Sequence, residues 1–278
     1  MQRIKYRIKK TLMDNSSAML ITGTGRCGTT FLANALADLH PQIHIEHEIE
    51  PTGIGIQNLS FEKQKANIIN GRGRFAFREW KRRNVQPAVI ESNCFLAPGI
   101  QAYLKAWKEC KVVGVIRNWD TCIESMASQS FSDNPNFFYA DSDHQKERRP
   151  NPVRLGLMSS EEWASFCRIE KIAWYWSYVN GHLLDMADKH PESVKLFSFE
   201  QMKGYPSAVL QDIQVFFDVP VRTFETNVAT NSSKERNQRR LSLDEIPSRN
   251  LENIKSIIQV VDKRARLHFA YQNSAQSN

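Results

Sequence analysis

Short apolar runs, each closed by glycine or polar residues and followed by apolar positions at three- and four-residue steps, recur along the chain and predict strands alternating with helices. Ala18 to Thr22 (AMLIT) stops at a glycine-rich turn, after which Phe31, Leu32, Ala35, Leu36 and Leu39 mark one helical face over Thr29 to Leu39. A second strand, Ala88 to Ile90, precedes Glu91, Ser92 and Asn93, and a helical stretch from Ile100 to Trp107 leads into a third, Val112 to Ile116. Asp120 to Ser130 reads as a helix, and Ser132 to Arg154, rich in Pro, Asp, Asn and Arg, as a long surface insertion. The most helical segment is Glu161 to Asp188, with Ile169, Ile172, Ala173, Trp176, Val179 and Leu183 at helical steps. A fourth strand, Val194 to Phe199, is followed by a helix over Ser207 to Phe217. The alternation predicts an α/β fold of three layers, with a central, mainly parallel sheet flanked by helices.

Two segments organise the chain: residues 1–17, basic and amphipathic, with Ile4, Ile8 and Leu12 on one helical face, and a single domain over residues 18–278. The net charge of +7 shrinks once it is mapped, because Arg3, Lys5, Arg7, Lys9 and Lys10 supply five of the charges and leave +2 for the rest. The terminal segment suits a solvated helix or a peripheral contact with an anionic membrane. Six cations interleaved with aromatics at Arg72 to Arg83 suit a solvated face or an acidic glycan or anionic lipid; nucleic acid is not the expected partner. No run of eighteen apolar residues and no charged-then-apolar leader occurs, and the five cysteines form no CxxC pair, so a soluble protein of a reducing, cytoplasmic compartment is expected.

Between the first strand and helix lies Gly23-Thr24-Gly25-Arg26-Cys27-Gly28-Thr29-Thr30. Backbone N–H groups and the helix dipole make such a junction an anion site. Three readings follow. The spacing fits G-x-G-x-x-G, with Glu46 near the position of a ribose-binding acid, which suggests an NAD(P)-dependent oxidoreductase. It also fits the glycines of a nucleoside-triphosphate loop, but Thr29 stands where the lysine belongs. In the third reading Arg26 and the hydroxyls of Thr29 and Thr30 hold a phosphate- or sulfate-like group without a metal. Strand VVGVI delivers Arg117 to the same sheet edge, with Ser125 eight residues on, and two anion sites there suggest a ligand with two separated phosphate-like groups.

The loop GTGRCGTTFL, Arg117 and Ser125 within VVGVIRNWDTCIESM, the segment EKIAWYWSYVN and the segment LFSFEQMKGYPSAVLQDIQVFFDVP together resemble the sulfotransferases that use 3′-phosphoadenosine 5′-phosphosulfate (PAPS). The similarity runs in order from Ala18 to Pro220 and is nearer to the bacterial and the carbohydrate and tyrosylprotein branches than to the cytosolic small-phenol enzymes. It implies a P-loop-NTPase-like fold, PAPS as sulfuryl donor, PAP as product and no metal. It further implies that Thr24, Gly25, Arg26, Cys27, Gly28, Thr29 and Thr30 hold the 5′-phosphosulfate and that Arg117 and Ser125 hold the 3′-phosphate. A late basic loop is expected in the family; here NSSKERNQRR (Asn231 to Arg240) takes its place, with Ser233, Lys234 and Arg236 as candidate phosphate contacts or a solvated run.

Sulfuryl transfer needs positive charge at the donor oxygens, which Arg26 and the loop N–H groups supply, and a base for the acceptor proton. In the similar branches the base is a glutamate a few residues beyond a His-Pro that closes the loop helix; from His40-Pro41, counting onward gives Glu48, with Glu46 and His47 as alternatives. His44, Glu46, His47 and Glu48 are also metal-ligand types, but strand-like alternation would scatter them, and no metal is expected. Glu46, Glu91 and Asn93 are the candidate acceptor-binding residues; Trp174 is a further candidate, while helical spacing puts Trp176 in the core. The acceptor expected is a hydroxyl or amine of a carbohydrate or lipid-linked molecule.

Overall fold

The computed structural model describes residues 17–48, 59–60, 62–71, 89–107, 109–128, 138–141, 143, 149–225 and 242–276. Strands β1 (Ser17–Gly23), β2 (His44–His47), β3 (Val89–Ser92), β4 (Glu109–Ile116) and β5 (Val194–Ser198) form one sheet in the order β2-β3-β1-β4-β5. Every pairing among them is parallel.

Helices cover both faces because the strand residues alternate. Ala18 and Leu20 of β1, Val112 and Ile116 of β4, and Val194 and Leu196 of β5 enter one core. Its helices are α2 (62–71), α3 (Ile100–Ala106), α4 (Trp119–Ser128), α6 (Arg168–Lys189) and α9 (Ser248–Gln276). Met19 and Ile21, Val113 and Val115, and Phe197 enter the other core, with α1 (Thr29–Leu39), α7 (Phe199–Gly204) and α8 (Pro206–Phe216). Each fully buried aliphatic side chain in these layers contributes about 1.5–3 kcal/mol, and Leu20, Ile21, Leu32 and Leu36 are completely enclosed around the loop that follows β1. The loop therefore starts from the central, enclosed strand of the sheet.

The expected three-layer α/β fold is present, with differences at particular places. The segment expected as one helix over Glu161 to Asp188 is two, α5 (Ser160–Ser165) and α6, because Phe166 and Cys167 are extended. Cys167 closes a capping box with Glu170, whose carboxylate accepts its N–H at 2.7 Å, a role that in sequence is normally signalled by serine or threonine. The expected surface insertion has, in its described part, several residues packed inside the protein, with Asp141 and Arg154 exposed. Phe138 and Tyr139 are buried, Arg149 pairs with buried Asp143 at 2.7 Å, and the Arg149 guanidinium lies 4.1 Å from the Phe138 ring centre. Polar composition there reflects a buried ion pair and its neighbours. Helix α9, absent from the expected elements, has Ile254, Ile258 and Ala265 buried along a largely polar sequence, so its apolar stripe is thin.

The strand order bears on the dinucleotide reading. In that fold the ribose-binding acid ends the strand next to β1. Here β3 intervenes, and Glu46 of β2 is paired in register with Glu91 of β3. The alternative oxidoreductase reading loses its acid for this reason. The amphipathic segment at the start of the chain and Arg72 to Arg83 lie outside the described residues.

Candidate active site

The loop between β1 and α1 is shaped by its own residues. Gly28 caps α1 at φ 87°, ψ 13°, with no side chain bonded to the first helical N–H groups and no acidic residue in the first turn. Those amides and the positive end of the helix are thus available to an anion. Cys27 is fully buried, and its thiol donates to the Thr24 carbonyl at 2.6 Å, tying the turn from beneath. Burial, reinforced by Cys122, pushes its pKa up to about 12, so it acts as a neutral strut. Thr24 is likewise enclosed, its hydroxyl 3.4 Å from the Cys122 sulfur. Of the loop residues expected to hold a ligand, Thr24 and Cys27 therefore contribute backbone, while Gly25, Arg26, Gly28 and Thr30 reach the surface.

Arg26 adopts a left-handed conformation at φ 69°, uncommon for a residue with a Cβ and typical of strained functional turns. It is held on both sides. Its Nε donates to Ser125 Oγ at 3.2 Å, and its carbonyl accepts from Arg117 at 2.9 Å. Arg117 also donates to Thr121 Oγ1 at 3.1 Å and lies over the Phe199 ring at 4.6 Å. The Arg117 carbonyl in turn accepts from Trp176 Nε1 at 2.9 Å, so this buried tryptophan combines its expected core position with a polar task. The two anion sites expected from sequence thus form one continuous surface joining Arg26, Arg117 and Ser125. A multiply charged phosphate ester suits this donor set of two guanidinium forks, hydroxyls and a helix N-terminus.

On the other side of the loop stands the end of β2. Thr30 Oγ1 lies 3.1 Å from His47 Nε2, His47 Nδ1 lies 3.1 Å from Ser92 Oγ, and Ser92 donates to the Thr29 carbonyl at 2.9 Å. Glu48 follows at φ 53°, its N–H held by the Ser92 carbonyl at 2.7 Å and its carboxylate 3.7 Å from His47 Nε2 and 3.5 Å from the Cys94 sulfur, which donates to it. Glu48 is exposed and Glu46 partly so, the latter paired with His44 at 3.0 Å. Of the base candidates, His47 and through it Glu48 are therefore brought beside the loop, whereas Glu46 pairs with His44.

Glu91 and Asn93, expected to face an acceptor, are instead enclosed. Asn93 donates to Glu91 at 3.0 Å, caps the following turn by accepting from Phe95 N–H, and joins β1 through Ile21 and Thr22. Their polarity secures the end of β3 beside β1. Trp174, the other acceptor candidate, stacks on Tyr178 at 5.0 Å and meets Trp163 edge-on, within an aromatic cluster. Ser233, Lys234 and Arg236 lie outside the described residues. The residues on either side of that stretch are anchored beside the site: Phe224 meets Phe31 edge-on at 5.9 Å, and Leu243 N–H donates to Glu124 at 3.0 Å.

Ser92, Phe199 and Tyr175 carry no mark of a site role in the sequence. Tyr175 is enclosed, its hydroxyl bonded by the Gly25 backbone, and burial holds its phenol well above the usual range. Glu200 accepts from Asn118 N–H at 3.0 Å and from Ser198 at 3.1 Å, fixing the turn after Arg117. Among the described residues no group of three or more His, Cys, Asp or Glu is arranged to hold a metal ion, and no helix is long and apolar enough to cross a membrane.

The sequence profile of the sulfotransferase domain matches residues 16–274. Among solved structures, a sulfotransferase from Alicyclobacillus acidocaldarius aligns at 18% identity over 87% of this chain and 96% of that one, with a TM-score of 0.48. Mouse sulfotransferase SULT7A1, solved with PAP, aligns at 14% identity over 99% and 96% of the two chains, also at 0.48. The sulfotransferase domain of the Synechococcus PCC 7002 olefin synthase aligns at 14% over 75% and 76%, at 0.44. No curated protein sequence matches the chain.

Proposed function

The chain belongs to the sulfotransferase domain family and is a PAPS-dependent sulfotransferase, and we propose that it sulfates a hydroxyl, or an amine, of a carbohydrate or lipid-linked acceptor, with Glu48 as base. When bound, PAPS supplies the sulfuryl group, and PAP leaves with the electron pair of the broken S–O bond. Gly25 to Thr30 and the start of α1 take the 5′-phosphosulfate, and Arg117 and Ser125 take the 3′-phosphate. Arg26 stands between the two and offsets charge developing on the leaving phosphate. The observation that carries this reading is the convergence of Arg26, Arg117 and Ser125 on one side of the glycine loop and of Glu48 on the other.

Glu48 accepts the proton of the attacking hydroxyl. Its carboxylate lies 3.7 Å from His47 Nε2, the atom that meets Thr30 of the loop. The partly exposed His44 and Glu46 offer hydrogen bonds to a hydroxyl-rich acceptor, which supports the carbohydrate reading. The wide spacing of five unpaired cysteines supports a cytoplasmic setting.

A thermal-shift panel of PAP, ATP, GTP, NADH and NADPH tests donor recognition: PAP is expected to stabilise the protein. A shift with ATP or NADH and none with PAP would overturn the assignment. Glu48→Gln is expected to bind PAP normally and to lose at least about 100-fold in turnover from labelled PAPS. Retention of the rate would move the role to Glu46 or His47.

A further inference from the structure

At His47 the donor loop, β2 and β3 are joined by side chains in one circuit. The direction of each hydrogen bond follows from counting hydrogens. Ser92 has one hydroxyl hydrogen, and it is given to the Thr29 carbonyl at 2.9 Å. Ser92 Oγ therefore accepts from His47, which puts the proton of the neutral imidazole on Nδ1. In that neutral form Nε2 keeps its lone pair and accepts the Thr30 hydroxyl hydrogen at 3.1 Å, with the Glu48 carboxylate 3.7 Å away. The circuit starts and ends on consecutive loop residues, Thr29 and Thr30, and passes through the strand end that continues into Glu48.

We propose that His47 is a positioning residue of the transfer reaction: in its Nδ1–H form it clips the start of α1 to the sheet edge and so sets the distance between the bound donor and the base. The inference rests on the reading of Glu48 as base and of the loop as donor site. Two features make the clip specific. Ser92 bonds the loop with its hydroxyl and Glu48 with its carbonyl, so a single residue of β3 references both halves of the site. Moreover, His47 is only partly exposed and Ser92 is fully enclosed, which shields the circuit from exchange with water. The alignment required for in-line displacement is sensitive to displacements of about 1 Å, which can cost on the order of 100-fold in rate.

The test is a set of variants in the full chain, with PAP affinity by calorimetry and turnover of labelled PAPS with any acceptor that the wild type accepts. His47→Ala is expected to lose between about 10- and 100-fold in kcat, with PAP affinity changed by less than about threefold. His47→Gln can place an amide oxygen near the Nε2 position and is expected to recover to within about threefold of wild type. Thr30→Val lowers kcat in the wild-type background but adds less than about twofold in the His47→Ala background, because both remove the same bond. Ser92→Ala is expected to fall between the two single variants.

Equal inactivity of His47→Gln and His47→Ala would overturn the positioning role and make the imidazole itself the proton acceptor. Near-normal kcat in His47→Ala, or full additivity with Thr30→Val, would overturn the circuit altogether. These outcomes are separable from failure of the base assignment, which shows as retained turnover in Glu48→Gln while the His47–Thr30 coupling persists. Failure of the donor assignment shows as absence of PAP binding in the wild type.

Discussion

Gly28→Ala probes the packing beneath the anion site, and its cost can be assembled from two parts. At φ 87° an alanine pays the left-handed penalty, about 1–2 kcal/mol. Its Cβ would also overlap Met202 Cε and lie 3.1 Å from the Phe199 ring. The methionine tip can rotate away, but the ring is the surface on which Arg117 rests at 4.6 Å, so its displacement disturbs a site residue. Overpacking of this kind costs about 1–3 kcal/mol. The sum, roughly 2–5 kcal/mol, corresponds to a fall in thermal midpoint of about 4–20 °C for a chain of this size. Two other glycines separate the parts. Gly156 has φ 69° and nothing within 4 Å of the place an added methyl group would take, so Gly156→Ala reports the backbone penalty alone. Gly204, in α7, has the same open space without the left-handed backbone, and Gly204→Ala should leave stability unchanged or raise it by up to about 1 kcal/mol. Calorimetric unfolding of the three variants measures all of this. If Gly28→Ala costs no more than Gly156→Ala, the contact with Met202 and Phe199 does not constrain the loop and the packing account is wrong.

Two further outcomes follow from buried groups. Burial pushes Glu170 up, but donors at Asn253, the Cys167 amide and Asn250 outweigh it and hold its carboxyl below the usual range. With the folded value depressed, its stabilisation is complete above the unfolded value near about 4.3 and is lost as pH falls through the folded value. The stability difference between wild type and Glu170→Gln, measured by denaturant titration, should therefore shrink below about pH 4; a difference independent of pH would refute the assignment. Burial is also the leading reason that Cys27 and Cys122 are pushed up to about 12 and about 11, so neither is expected to react with iodoacetamide at about pH 8 until the protein unfolds. Mass-spectrometric mapping of either site as labelled in the folded protein would contradict their burial and, for Cys27, its role as a neutral strut.

What can be read from the chain alone depends on whether a signal is local. The glycine loop, the strand ending at Arg117 and the helix carrying Ser125 are contiguous patterns, and their placement on one edge follows from the parallel α/β rule. Helical spacing places Trp176 in the core, where it is found, but its bond to the Arg117 carbonyl spans 59 residues and has no local mark. Ser92 is silent in the sequence for a similar reason: its meaning depends on the register of β3 against both β2 and β1. Glu91 and Asn93 illustrate the reverse case, since polar residues after a strand suggest a ligand, whereas here they satisfy one another and the neighbouring backbone. Arg149 and Asp143 make a buried segment look like surface because a paired charge and a solvated charge are written with the same letters.

The position of β1, between β3 and β4, divides the site along the sequence. His47 and Glu48 come from the chain that runs toward one edge of the sheet, and Arg117 and Ser125 from the chain that runs toward the other, with Thr30 and Arg26 as their respective points of attachment. In the proposed reading, nucleotide recognition and acceptor activation thus come from opposite sides of β1 and meet over a single turn. If those roles hold, a change of acceptor calls for changes on the β2–β3 side alone, with the Thr30–His47 contact kept as the joint between the halves.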